Sequence, residues 1–144
     1  MRKMALFLLI LRLSLGGLFV FAGLTKLANP SAFLTDVENY RLLPYVPAVA
    51  FSLYLPWLEI FGGACVVFRK LYPGALAILL GLIVLFTAAL LSAWARGLDI
   101  SCGCFGTERA TANYPWHLLI ELVILVGIVV LARTDVLTWK TLRA

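Results

Sequence analysis

Four apolar runs follow one another along this chain, separated by short polar gaps. They cover residues 5–27, 46–68, 73–95 and 114–132, each close to the ~20 residues that an α-helix needs to cross the hydrocarbon core of a bilayer. The pattern predicts an all-α membrane protein, a four-transmembrane-helix bundle. Four such spans use more than half of the 144 residues, which leaves short loops and one membrane domain over 1–144.

The gaps carry their own signals. Asn29-Pro30 reads as a helix cap followed by a first-position proline, opening a short segment from Ser31 to Arg41. There Phe33, Val37 and Tyr40 share one face, and Asp36 and Asn39 are expected towards the other. This predicts a short interfacial helix between spans 1 and 2, ended by Leu43-Pro44 because residues before proline avoid the helical region. Pro56 is expected to kink span 2. In span 1, Gly16, Gly17 and Gly23 offer a neighbouring helix a close approach. The tail, Val136 to Leu142, reads as a short amphipathic surface piece.

Composition sharpens the class. The chain is 63% hydrophobic and only 13% charged, with a mean hydropathy of +1.03, whereas soluble domains are nearer half apolar and a quarter charged. The net charge of +5 does not point to nucleic acid, since no basic patch is interleaved with aromatics. The Arg2-Lys3 start imitates a secretory signal. Its apolar run continues to about Leu27 without a small-residue cleavage site, so it reads as an uncleaved first helix.

Basic residues set the expected orientation. Arg2, Lys3, Arg69, Lys70, Arg133, Lys140 and Arg143 fall at one set of span ends, against Lys26, Arg41, Arg96 and Arg109 at the other. Positive charge favours the cytoplasmic side. The expectation is a multi-pass inner (plasma) membrane protein with both termini cytoplasmic and the loop between spans 3 and 4 outside.

That loop contains the main candidate chemistry, Ser101-Cys102-Gly103-Cys104-Phe105-Gly106. Two cysteines separated by glycine can close a disulfide, because glycine permits the tight turn. So short a loop gains little chain-entropy stabilisation, and a strained ring is easily reduced. Three readings are open: a reversible redox dithiol, a structural disulfide that rigidifies a docking loop, and a soft-metal site for copper or zinc with His117 as a further ligand. Cys65 is excluded from the pair, because it lies roughly 25–30 Å away near the opposite end of span 2, where a small buried apolar residue is expected.

Charges within the spans need a partner or a purpose, since each costs about 2.5–3.5 kcal/mol on insertion scales. Counting from the span ends puts Arg12 about 10 Å deep and Glu59 about 14 Å deep. An Arg12–Glu59 ion pair is therefore expected, as a structural link or as a place where quinone or protons are handled. His117 and Glu121 lie four apart on one face of span 4, about 3 and 10 Å below its outer end. An imidazole there can lower a thiol pKa and carry its proton. The other reading is a boundary histidine facing headgroups. Lys26 either pairs with Glu121 or snorkels to the interface.

Taken together, Arg12 with Gly16-Gly17, Ala22-Gly23-Leu24-Thr25-Lys26-Leu27, Tyr40-Arg41-Leu42-Leu43-Pro44, Leu55-Pro56-Trp57-Leu58-Glu59 with Gly62-Gly63, and Gly97-Leu98-Asp99-Ile100 leading into the Cys-Gly-Cys motif resemble the MauE branch of the DoxX-like superfamily. The resemblance runs almost end to end. It implies a four-helix membrane partner of thioredoxin-like proteins outside the cytoplasm, exchanging electrons with quinone or another membrane donor. The named branch is linked to maturation of the disulfide-rich methylamine dehydrogenase. By family position Cys102 and Cys104 are the redox pair, and Arg12, Lys26 and Glu59 match recurring charged positions. Quinone-linked disulfide generators relay electrons between two cysteine pairs. This chain offers one, so the second must come from a partner, or quinone must reach the loop directly. The competing expectation is a non-catalytic scaffold or assembly subunit of a larger membrane complex. No nucleotide-binding glycine loop or haem-attachment motif is present.

Overall fold

The computed structural model describes residues 2–98 and 114–143. The Ser101–Gly106 motif, with Cys102 and Cys104, lies outside the described residues. Five helices follow in order: α1 (Arg2–Ala28), α2 (Pro30–Asn39), α3 (Tyr45–Phe68), α4 (Tyr72–Ala95) and α5 (Tyr114–Arg143). Four of them contain apolar stretches long enough to cross a membrane, Leu6–Ala28, Tyr45–Phe68, Tyr72–Ala95 and Pro115–Thr134. The chain is a multi-pass membrane protein. The expected spans agree with these stretches to within two residues. The tail expected as a separate surface piece is instead the continuation of α5.

The four long helices close a ring in the order α1, α3, α4, α5, with α5 returning to α1. Inward side chains from each, including Leu15, Phe19, Leu55, Val66, Leu79, Ile83, Ile124 and Ile128, form the core. Phe7, Phe21, Tyr54, Phe61, Val84 and Val123 face outward. Outward apolar side chains suit lipid. Inside a bilayer, burial against a neighbouring helix exchanges one apolar environment for another, so close packing has to hold the bundle.

Glycine supplies that packing between α1 and α3. A Cβ at Gly16 would lie 2.6 Å from Val67 Cγ2 and 2.8 Å from the Gly63 carbonyl oxygen, and one at Gly63 would lie 2.6 Å from the Gly16 oxygen. One at Gly23 would lie 2.6 Å from the Pro56 oxygen. The two backbones touch, which no other residue type permits here. Gly17, expected to share this role, has nothing within 4 Å and is exposed. α3 runs through Pro56 as one continuous helix. Cys65 is a half-buried free thiol against the core, as expected of a small apolar side chain.

α2 packs on α3 and α1. Pro30 stands at its first turn as expected. Asn29 caps it by position only, without a side-chain cap bond; its Oδ1 accepts from the Ser31 hydroxyl at 3.2 Å. Phe33 is buried, and so is Asp36, which was expected to face away. Residues three apart lie on neighbouring parts of a helix face, so Asp36 follows Phe33 inward. Arg96, just past α4, holds the other end: its guanidinium donates to the Tyr40 and Arg41 carbonyls and its Nε to Ser92 O at 3.1 Å. A charged donor on the last carbonyls of a helix offsets the orphan acceptors there. Arg96→Ala is expected to speed amide hydrogen exchange in α2 several-fold, the scale of a lost bond of about 1 kcal/mol, with the global melting midpoint nearly unchanged.

Candidate functional site

Side chains from all four spans line a small, half-open cavity of about 50 Å³, room for a few water molecules. Its wall is mostly apolar, with Leu18, Phe19, Ile83 and Ile124 among its members. Four polar groups face it: Lys26 from α1, Glu59 from α3, and His117 and Glu121 from α5. Every span contributes to the wall, and three of them contribute charge.

Lys26 and Glu59 form a buried ion pair. Lys26 Nζ donates to Glu59 Oε1 at 2.6 Å and to Oε2 at 2.8 Å, and the two residues are 5% and 1% exposed. The remaining side of the ammonium faces two aromatic rings, Phe86 at 5.0 Å and Phe33 at 5.4 Å. Both carboxylate oxygens and the cation are thereby accommodated, the condition under which a buried pair is tolerated.

This corrects the expected Arg12–Glu59 pair. The depth count took the ends of the two spans as level. The glycine contacts set a different register: Gly16 lies against Gly63 and Val67, and Gly23 against Pro56. One turn before Gly16, Arg12 falls level with the end of α3, while Glu59 is about 12 Å further along from Val67. Helical side chains lean towards their own N-terminus. In this antiparallel pair that brings Lys26 back towards Gly23 and Glu59 back towards Pro56, where they meet. Neither alternative expected for Lys26, a pair with Glu121 or a snorkelling position, is the one found. Arg12 is half-buried, and its Nε has no hydrogen-bond partner.

His117 and Glu121 do share a face, as their spacing predicts, and that face is the cavity wall. Glu121 is 6% exposed. Thr87 of α4 is its polar neighbour, with the Thr87 hydroxyl donating to the Ile83 carbonyl oxygen at 2.8 Å; Glu121 Oε2 has no partner. His117 is half-buried nearer the start of α5. Phe33, Phe86 and Thr87 had no signal in the sequence, being ordinary residues in apolar or amphipathic runs.

The family described as methylamine utilisation protein MauE matches residues 4–134. This chain belongs to the MauE family. It is 32% identical over 127 residues to the methylamine utilization protein MauE of Paracoccus denitrificans, a match covering 86% of this chain and 67% of that protein. The MauE of Methylorubrum extorquens is 39% identical over 89 residues, 61% of this chain and 48% of the relative. That of Methylophilus methylotrophus is 34% identical over 84 residues, 58% and 44%. The match thus spans about two thirds of one MauE relative and under half of two others. No solved structure matches the chain. The MauE match includes Lys26, Glu59, His117 and Glu121, so all four polar groups of the cavity lie within the family's own segment.

Proposed function

We propose that this chain is a membrane thiol-disulfide exchange protein in which Cys102 and Cys104 form a reversible dithiol. In this reading the pair passes electrons between a membrane donor or quinone and a thioredoxin-like partner outside the cytoplasm, with both termini cytoplasmic. The observation that carries it is topological: in a MauE-family membrane protein, the Cys-Gly-Cys segment joins α4 to α5. It thereby leads into the first turns of the helix whose His117 and Glu121 line the mostly apolar cavity.

The exchange balances with these groups alone and a partner disulfide. One thiolate attacks a partner sulfur, forming a mixed disulfide and releasing the partner's other sulfur as a thiolate that takes a proton. The second thiolate displaces the partner's remaining sulfur, closing the Cys102–Cys104 bond. Two electrons and two protons have then moved to the partner, and the reverse sequence oxidises it. His117 would carry one of those protons. The relatives are described as methylamine utilisation proteins, which names the first setting in which to seek the partner.

The test is the reduction potential of the pair in purified protein, by thiol trapping across a glutathione or dithiothreitol series. A reversible couple above about −250 mV is expected, in the range of catalytic exchangers. A pair still oxidised below about −300 mV would be structural, and a scaffold or assembly role would replace the exchange reading.

A further inference from the structure

The cavity holds two carboxylates and, among the described residues, one lysine. Glu59 takes two bonds from Lys26, whose remaining side is turned to Phe86 and Phe33. Glu121 lines the same cavity with an unpartnered Oε2. Among the described residues no other lysine or arginine faces it. The titratable groups around it are Lys26 from α1, Glu59 from α3, and His117 from α5; α4 contributes Ile83, Phe86 and the neighbouring Thr87, none of which titrates. A second carboxylate among apolar walls, with the one cation already engaged, needs a positive ligand of its own.

The cavity limits what that ligand is. A hard metal cation takes several oxygen ligands, whereas this wall, outside the ion pair, offers the carboxylate of Glu121 and mostly hydrocarbon. A proton needs a single oxygen. The volume of about 50 Å³ accommodates a few waters held by the polar groups. His117 stands one turn from Glu121 on the same face, nearer the start of α5.

We propose that Glu121 is a reversible proton-binding site inside the bundle, filled and emptied through His117 and water in the cavity. In the filling step an imidazolium N–H of His117 gives its proton to a cavity water, which passes one on to a Glu121 oxygen. Neutral imidazole and a carboxylic acid remain, so the transfer itself leaves the net charge of the site unchanged. The reverse step empties the site. The site stands on this geometry and does not depend on the exchange reading, so each can fail alone.

Infrared difference spectroscopy of the protein in lipid nanodiscs, between acid and alkaline pH, tests it. A carboxylic C=O band that shifts down in D2O is expected in the wild type and should be absent in Glu121→Gln. In His117→Ala the band should remain at equilibrium but form several-fold more slowly after a pH jump. Thr87→Val, which leaves the carboxyl in place, should move the band's frequency, and it serves if Glu121→Gln fails to fold. A band unchanged in folded Glu121→Gln, or unmoved by Thr87→Val, would overturn the assignment. So would a spectrum that responds to sodium at fixed pH instead of to pH.

Discussion

Lys26→Met alone should destabilise the bundle by about 3–5 kcal/mol, the usual cost of stranding one member of a buried pair. Methionine matches the length of lysine but removes the cation, leaving Glu59 with neither of its bonds at 2.6 and 2.8 Å. Glu59→Gln should cost a similar amount, since the ammonium would keep only part of its contacts. The double replacement Lys26→Met with Glu59→Leu should restore most of the loss, because well-packed apolar residues often replace a buried ion pair at little cost. Unfolding in mixed micelles would measure all three. A double-mutant cycle separates this pair from the one that depth counting suggests: strong coupling is expected between Lys26 and Glu59, and almost none between Arg12 and Glu59. Wild-type stability for Lys26→Met would show that the pair does not support the fold.

The second large effect is expected at the α1–α3 contact. Gly23→Ala should destabilise by about 1–3 kcal/mol, the range for overpacking, although alanine is the better helix former by about 1 kcal/mol. The new methyl would meet the Pro56 carbonyl oxygen at 2.6 Å, and backbone cannot rotate aside as a side chain can. Gly63→Ala, facing the Gly16 oxygen at 2.6 Å, should behave alike. Gly17→Ala is the control: with nothing within 4 Å, it should be neutral or stabilising by up to about 1 kcal/mol. Thermal melting of the three variants in one detergent would decide. Equal midpoints for Gly17→Ala and Gly23→Ala would mean that the close approach does not hold the helices. Because this contact also sets the register that brings Lys26 to Glu59, Gly23→Ala should weaken the ion pair as well.

The spans were legible because membrane insertion acts on each helix separately: an apolar run of sufficient length declares itself without reference to its neighbours. α2 was legible from Pro30 and from Phe33 and Val37 at helical spacing. The inward turn of Asp36 follows from the same periodicity and was misjudged by grouping it with Asn39. At the candidate site, His117 and Glu121 were found through their i, i+4 spacing, a local property of one helix. The partner of Glu59 was not found, because depth counted along two chains assumes a common origin that they lack. Thr87, Phe86 and Arg96 carry no mark in the sequence that separates them from any other residue of their runs.

The sequence by itself determined the number of spans, the helix between the first two, and the family to which the chain belongs. Each depends on composition, spacing or motif within a single stretch. Only the tertiary structure decided that Lys26, rather than Arg12, neutralises Glu59, and that Glu121 shares their cavity with no cation of its own among the described residues. Those facts depend on the rotation and sliding of one helix against another. Gly16, Gly23 and Gly63 set that register by allowing two backbones to touch, a contact between residues some 30 to 50 positions apart that no local pattern records.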